Sequence, residues 1–200
     1  MEKASENSKK FLWVGNDPSI DFINTDIVLE GKPVDLLQSP EDYLAWLGAA
    51  GIDMRQTSRA PGAMHQGFQQ AKEFRGKLRE AYEQLVKTAT VPHSILTAVN
   101  AYISKSRRPA ELRTRGSSFE LYPYWLAEKA ADYVAPLAWA FAGFLATADL
   151  DRIRKCQNPE CVLFFYDTSK SGSRRWCSLD ICGNKMRMAA SRERHQRRHH

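Results

Sequence analysis

The fold is decided by a stretch near the end of the chain: CQNPEC (156–161), VLFFYDTSKSGSRRW (162–176) and CSLDIC (177–182). This stretch holds all four cysteines of the 200-residue chain, arranged as two pairs. Each pair has four residues between its cysteines, and fifteen residues separate the pairs. Matched spacing of this kind indicates one site with four sulfur ligands.

A tetrahedral zinc ion is the site that this spacing predicts, since two short turns can each present two thiolates to one ion. Asn158-Pro159 is a turn signal inside the first pair. Two disulfides or four unrelated buried thiols are the alternatives. A catalytic zinc is disfavoured, because it keeps an open position that four cysteines would fill. We therefore predict one structural Zn²⁺, with the ligands Cys156, Cys161, Cys177 and Cys182.

The N-terminal sequence MEKASE lacks the basic and then apolar pattern of a signal peptide. The longest wholly apolar runs are short, so we expect no membrane-spanning segment and no membrane partner. A cytoplasmic protein with reduced cysteines is the expectation that follows.

The positive charge of the chain is concentrated around the cysteines. Residues 1–150 hold 17 Lys+Arg and 18 Asp+Glu, whereas residues 151–200 hold 12 and 5. Four thiolates and one Zn²⁺ would add a charge of −2, so the region stays strongly positive. This asymmetry is typical of a protein with a polyanionic partner, although solubility alone can also produce a basic tail.

The cysteine region is predicted to form a knuckle, a hairpin and a helix, which is the order of elements in a treble-clef-like module. Strands are predicted over Val162–Tyr166 and Arg174–Cys177, and a helix from Leu179. Asp167 is expected to pair with the side chain of Arg174 or Arg175. The ion would form a small core with the neighbouring aromatic side chains, Phe164, Phe165 and Trp176.

The predicted C-terminal helix has an apolar side and a basic side. Met186, Ala189 and Ala190 share one side, and the basic residues occupy another. A basic helix face can enter the major groove of DNA. RNA binding, or a protein-interaction module with a frayed basic tail, is the alternative. The predicted nucleic-acid contacts are Lys170, Arg174, Arg175, Lys185, Arg187, Arg192, Arg194 and Arg198.

Several of these residues carry a resemblance to the CGNR zinc finger family. The residues that match are the four cysteines, Phe165, Asp167, Ser169, the run 174–178 and Cys182-Gly183-Asn184, with Lys185 in place of the arginine that names the family. The upstream sequences at 15–25 and 33–37 resemble, more loosely, the ABATE domain that precedes such a finger. The resemblance implies a bacterial stress-induced transcription regulator that binds DNA.

The rest of the chain predicts an α+β fold with a mainly helical N-terminal domain and a small β-hairpin. We expect a disordered tail at 1–10, a helical domain over 11–150 and the zinc finger with its basic helix over 151–200. The predicted elements are a strand at Phe11–Val14, a short helix near Ile20, helices from Ser39 to about Gly48, at 63–88, 92–104 and 126–148, and a hairpin at 110–124 around Gly116. Residues 53–62 are expected to form a loop.

A regulator often needs an input, so the N-terminal domain is expected to bind a small-molecule effector or a second copy of itself. Asp21, Asn24, Arg113 and Arg115 are the candidates for the ligand pocket. Local backbone capping by the first two and outward-facing strand positions for the two arginines are the alternatives that we favour. No catalytic constellation is present, since His65 and His93 lie in unrelated contexts. The function predicted is a zinc-dependent, DNA-binding transcription regulator.

Overall fold

The computed structural model describes residues 10–56 and 62–198, and side chains as far as Arg192. The predicted tail at 1–10 lies, except for Lys10, outside the described residues. Six α-helices are described: α1 (Pro18–Ile23), α2 (Pro40–Ala49), α3 (Ala63–Thr88), α4 (His93–Ser104), α5 (Ala130–Thr147) and α6 (Asn184–Arg198). The strands form four two-stranded sheets: β1 (Asp26–Leu29) with β2 (Lys32–Asp35), β3 (Met54–Gln56) with β6 (Trp125–Ala127), β4 (Ala110–Arg115) with β5 (Ser118–Pro123), and β7 (Ile153–Lys155) with β8 (Phe164–Tyr166).

Helices α3 and α5 form the centre of the core. The amphipathic pattern of α3 buries Phe68, Leu78 and Tyr82 against the almost wholly apolar α5. The Tyr133 ring of α5 lies directly against the α3 backbone at Gly67, where an added Cβ would be 2.5 Å from the ring. The predicted helix at 63–88 is therefore confirmed, and a glycine in its interior is explained by packing.

Local capping starts α2 where the sequence predicts. The Ser39 hydroxyl accepts a hydrogen bond from Asp42 N at 3.1 Å, and the Asp42 carboxylate accepts one from Ser39 N at 3.2 Å. This reciprocal pair satisfies two backbone donors that a helix start leaves without partners. Proline at the first helical position adds a backbone angle already suited to the helix.

The β1–β2 and β4–β5 hairpins form where turn residues occur in the sequence. Glu30 and Gly31 both have positive φ between β1 and β2, as a two-residue type I′ turn requires. The hairpin around Gly116 is confirmed, with Arg115 paired to Ser118 in register. The parallel pair of β3 with β6 was not predicted, because it joins two three-residue segments far apart in sequence.

Two further expectations for this part of the chain are wrong. Residues 11–14 form no strand; Phe11 is instead buried in the core. The last helix of the domain begins at Ala130 rather than near 126, because residues 125–127 are used by β6.

The hairpin of the metal module, which we define as residues 153–198, differs from the predicted one. Strand β8 pairs with β7, upstream of the first cysteine, and residues 174–177 form no strand. The other edge of β8 is occupied by the N-terminal domain, because Tyr166 N donates to Gly15 O at 2.8 Å and Asn24 binds the backbone of Phe164. The predicted returning strand has no free edge to join.

By length and composition, α5 is apolar enough to cross a membrane, and it is the one such helix in the described part of the chain. Its apolar residues pack against α3, α4 and α1 inside the fold. Core packing therefore accounts for its composition.

Candidate metal centre and nucleic-acid interface

The two cysteine pairs meet at one point of the metal module. Their four Sγ atoms all lie within 4.8 Å of one another, and Cys161 Sγ is 4.0 Å from Cys177 Sγ. Zinc–sulfur bonds of about 2.3 Å place the sulfurs of a tetrahedral site roughly 3.8 Å apart. All four cysteines are free thiols, so the disulfide alternative is wrong here. The four sulfurs fit one zinc ion after a small contraction.

Hydrogen bonds to sulfur prepare this site for thiolates. Asn158 Nδ2 donates to Cys182 Sγ at 3.2 Å, and Cys177 N donates to Cys156 Sγ at 3.4 Å. Donors of this kind orient metal-binding sulfurs and stabilise their negative charge. The Asn158-Pro159 turn predicted from sequence thus also supplies a side chain that the sequence alone did not identify.

Mutual contacts shift the pKa values of three thiols, Cys156, Cys161 and Cys177. Hydrogen bonds from Cys161 and Cys177 lower the pKa of the Cys156 thiol to about 2. The same contacts with Cys156 raise the pKa of Cys161 to about 12 and that of Cys177 further still. The Cys156 thiol therefore ionises readily, whereas a cation is needed to hold Cys161 and Cys177 as thiolates.

The aromatic residues near the cysteines belong to two different cores. Phe165 packs with Leu163 and the cysteines, and Trp176 lies half-buried beside them. Phe164 is instead part of the main core, with its ring 6.3 Å from that of Tyr82. The prediction that all three form the module's own core is therefore wrong for Phe164, because successive strand residues face opposite sides.

Residues 167–177, which we call the arm, are shaped by a buried carboxylate. Asp167 is fully buried and accepts hydrogen bonds from Ser169 N at 2.9 Å and Arg174 N at 2.8 Å. The predicted pairing with an arginine side chain is wrong. The Arg174 guanidinium lies over the Phe165 ring at 4.3 Å and donates to the carbonyl oxygens of Trp176, at 2.9 Å, and Cys177. These contacts make Arg174 a brace within the arm.

A groove of about 600 Å³ lies between the arm and the start of α6, and we call it the basic groove. The Arg175 side chain stacks at 5.0 Å on the Trp176 ring and donates to Gln157 Oε1 at 2.6 Å. Arg187 faces the groove from α6 and is exposed. Hydroxyl and guanidinium groups dominate its lining: Ser169, Ser171, Ser173, Ser178, Arg174, Arg175 and Arg187.

The other predicted nucleic-acid contacts are spread around the module. Lys170 and Arg192 are exposed. Lys185 lies outside the basic groove and pairs with Glu160 at 2.5 Å. The side chains of Arg194 and Arg198 lie outside the described residues. The structure therefore brings together Arg174, Arg175 and Arg187 of the eight predicted positions.

The four candidates for a ligand pocket all make contacts inside the protein. Asp21 Oδ1 accepts from Gly15 N at 2.7 Å, and burial raises the pKa of this carboxyl to about 6. Asn24 binds the Phe164 backbone. On the hairpin, Arg113 pairs with Glu111 at 3.0 Å and Arg115 with Glu120 at 3.3 Å. Local hydrogen bonding describes the contact of Asp21, and outward strand positions describe the two arginines. Asn24 is not a local cap, because its side chain binds the backbone of a residue in the metal module.

Arg79 is a residue whose role the sequence did not reveal. Its guanidinium donates to Val162 O at 3.0 Å in the metal module and to Asp26 O at 2.8 Å in the N-terminal part. The available signal was its position three residues from Tyr82 and one from Leu78, both buried in α3.

A four-thiol site that fits one zinc ion, set beside a basic groove and packed on a helical domain, defines a zinc-finger protein with a helical partner domain. Residues 152–195 match the model of the CGNR zinc finger. Residues 16–148 match the ABATE model, described as "Putative stress-induced transcription regulator". Since this second match spans more than half of the 200 residues, the chain belongs to the ABATE family.

These matches confirm the resemblance stated from sequence. The helices, small sheets and cysteine cluster of the structure confirm the predicted mixed fold, and the cluster together with the CGNR match confirms the zinc prediction. Neither model describes an enzyme. A search of curated proteins finds no match to the chain.

Proposed function

We propose that the protein is a zinc-dependent transcription regulator that binds double-stranded DNA through its metal module, in the cytoplasm and at the nucleoid. The observation that carries this proposal is the basic groove, where exposed Arg175 and Arg187 flank serine hydroxyl groups. Bound zinc would hold the two cysteine turns together through Cys156, Cys161, Cys177 and Cys182, and so supply folding energy to the module.

The groove suits a phosphate backbone. Arginine and serine side chains are common donors to phosphate oxygens, and such contacts orient a protein on the duplex. The exposed residues of α6, Arg187 and Arg192, would then be placed toward base edges in the major groove. Arg174 is assigned a structural role instead, because its guanidinium already makes a hydrogen bond and a ring contact within the metal module.

The number of phosphate contacts sets the dependence on salt. Two exposed cations, Lys170 and Arg175, remain for phosphate contacts and give an expected slope of about −1.8 for log K against log salt concentration. A slope near zero would contradict the proposal, because phosphate contacts always release counterions.

A selection from random duplex DNA with zinc-loaded protein near physiological salt tests the proposal. We expect one enriched motif, which Cys182→Ser and the double variant Arg175→Ala/Arg187→Ala lose. Arg115→Ala is the matched control, since this exposed arginine lies on the β4–β5 hairpin. Weak binding to all sequences, or tighter binding to RNA, would favour an RNA or protein partner. Loss of the motif in the control variant as well would favour the same conclusion.

We also infer a homodimer that forms through the β4–β5 hairpin. Leu112, Phe119 and Leu121 share one face of this hairpin and are about 70% exposed. The charged residues of the hairpin, Glu111, Arg113, Arg115 and Glu120, all occupy the other face. A face without charge can pack on a copy of itself without repulsion, so a second copy of this chain is the partner proposed.

Light scattering after size exclusion tests the dimer. We expect Leu121→Glu to convert a dimer into a monomer, and Val86→Glu, at an exposed apolar position on α3, to leave it intact. A monomer in the unsubstituted protein at tens of micromolar would overturn this part of the proposal.

A further inference from the structure

A second cleft, which we call the seam cleft, lies between the β1–β2 hairpin and the metal module. Its volume is about 640 Å³, within the range of roughly 300–1,000 Å³ that is typical of small-molecule sites. Ile27 and Leu29 line it from the hairpin, and Val162 and Ile181 line it from the module. The cleft is separate from the basic groove, with which it shares no lining residue.

The walls of the seam cleft are apolar and accessible. Leu29 is 59% exposed and Ile181 is 40% exposed, although both are large aliphatic side chains. A ligand with an apolar body would remove this surface from water, at a gain of roughly 25 cal/mol for each Å² covered.

The charges around the seam cleft have a negative sum. Glu30 and Glu160 contribute two carboxylates, and Lys185 contributes one ammonium group. Cys161 and Cys182 also line the cleft, and a zinc ion bound by four thiolates carries a net charge of −2. An apolar anion would be repelled from such a cleft, whereas a cation would be attracted.

We propose that the seam cleft binds an organic cation with an apolar body. The cationic group lies near Glu160, and the apolar body covers Leu29 and Ile181. This assignment depends on the lining of the cleft and on the zinc charge, and it does not require that the protein bind DNA.

The position of Lys185 links the seam cleft to α6. This lysine is the second residue of α6 and pairs with Glu160 at 2.5 Å, with both side chains largely exposed. A cation beside Glu160 competes with that pair and releases the Lys185 ammonium group. This step rests on the proposed DNA-binding function. One released lysine then adds about one phosphate contact and makes the slope of log K against log salt concentration steeper by about 0.9.

Calorimetric titration of the zinc-loaded full chain with tetraphenylphosphonium tests the site. Tetraphenylborate is the matched probe, because it has nearly the same shape and the opposite charge. We expect the cation to bind at least about tenfold more tightly than the anion, as opposite and like charges near a partly buried site require. Equal affinities, tighter binding of the anion, or no binding of the cation would overturn the proposal.

Two neighbouring residues locate the site. Ile181→Ser is expected to weaken tetraphenylphosphonium binding about fivefold or more, since a large apolar contact is lost. Leu179→Ser is the matched control, because Leu179 belongs to the same turn and is also exposed but lines the basic groove. Equal losses in both variants would show that the probe does not occupy the seam cleft. Glu160→Gln should weaken the binding of the cation and strengthen the binding of the anion. A change of both affinities in the same direction would contradict the charge argument.

The link to α6 is measured separately, by DNA affinity with and without tetraphenylphosphonium. We expect a gain of about three- to tenfold that Lys185→Gln removes. Cation binding without any change in DNA affinity would overturn the link and leave the site supported. Calorimetric binding by a protein that binds no DNA would overturn the proposed function and leave the cation site supported.

Discussion

The side-chain amide of Asn24 makes both hydrogen bonds of the Phe164 backbone: Nδ2 donates to Phe164 O at 2.8 Å, and Oδ1 accepts from Phe164 N at 3.0 Å. Asn24 follows α1 in the N-terminal domain, and Phe164 opens β8 in the metal module. The amide therefore replaces a neighbouring strand, and both partners are fully buried. Together with the bond from Tyr166 N to Gly15 O, this contact makes the two parts of the chain one folded unit.

Asn24→Ala should lower the free energy of unfolding by roughly 2–4 kcal/mol, because two buried backbone groups lose their partners. Urea denaturation at pH 7 measures the change. Asn100→Ala, at an exposed position of α4, is the matched control and should change stability by less than about 0.5 kcal/mol. Similar effects of the two substitutions would contradict the role given to Asn24.

Removal of zinc should unfold the arm before the helical core. We expect one zinc ion per chain by elemental analysis and less than half of that in Cys177→Ser, because three thiolates bind far more weakly than four. Asp180→Asn, an exposed residue between Cys177 and Cys182, is the matched control and should keep one ion. A full complement of zinc in Cys177→Ser would contradict the four-cysteine site.

Asp167→Ala should loosen the arm while the protein retains its zinc. Hydrogen bonds from Ser169 and Arg174 lower the pKa of the Asp167 carboxyl although burial opposes this, so the buried carboxylate holds both ends of the turn. Limited proteolysis should cut the variant near 168–173 at least about tenfold faster, as expected where buried backbone partners are lost. Loss of zinc in parallel with cleavage would show instead that Asp167 supports the metal site directly.

The buried carboxyl group of Asp21 should make the protein less stable as pH rises from about 4 to about 6. This side chain belongs to a residue that is 7% exposed, and burial raises its pKa from 3.8 to about 6. The folded state therefore holds its proton over a range in which the unfolded chain has lost it, so the stabilising contribution present below pH 3.8 disappears as pH passes about 6.

Asp21→Asn removes this titration and can still accept the hydrogen bond from Gly15 N. We expect it to be more stable than the unsubstituted protein by roughly 1–3 kcal/mol at pH 7 and nearly equal at pH 4. Denaturation at the two pH values measures the difference. Asp151→Asn, at an exposed site, should follow the unsubstituted protein at both. A constant difference between pH 4 and pH 7 would show that the Asp21 carboxyl does not titrate in this range.

Asp35 should have the opposite dependence on pH. Burial alone would raise its pKa, but paired hydrogen bonds from Arg75, both at 2.7 Å, and a contact with Lys72 lower it well below 3.8. Stability from this group is present above pH 3.8 and is lost as pH falls further. Asp35→Asn should cost roughly 2–4 kcal/mol at pH 7, since Arg75 is buried and loses its partner charge. A Lys72→Ala control, which removes the more exposed cation, should cost less than about 1 kcal/mol.

The elements that were predicted well are those defined by local signals. Helix α3 has a sustained apolar period, α2 has a cap and a proline, and the β4–β5 hairpin has alternation around Gly116. Strand β8 was predicted, but its pairing with β7 was not. Strands β3 and β6 were missed, because each pairs with a segment far away in sequence. For the same reason the amide of Asn24 was interpreted as a local cap, although its partner is a backbone 140 residues further along the chain.

The sequence was sufficient to predict the zinc site, since ligand spacing and turn residues depend only on the local chain. It was also sufficient to locate the positive charge, which is a property of composition. Tertiary packing was needed to show which cations remain accessible: Arg174 became a brace, Lys185 joined Glu160, and Arg79 joined the two parts of the chain. The seam cleft likewise exists only after folding, because the distances between side chains from separate elements are set by packing and not by spacing along the chain.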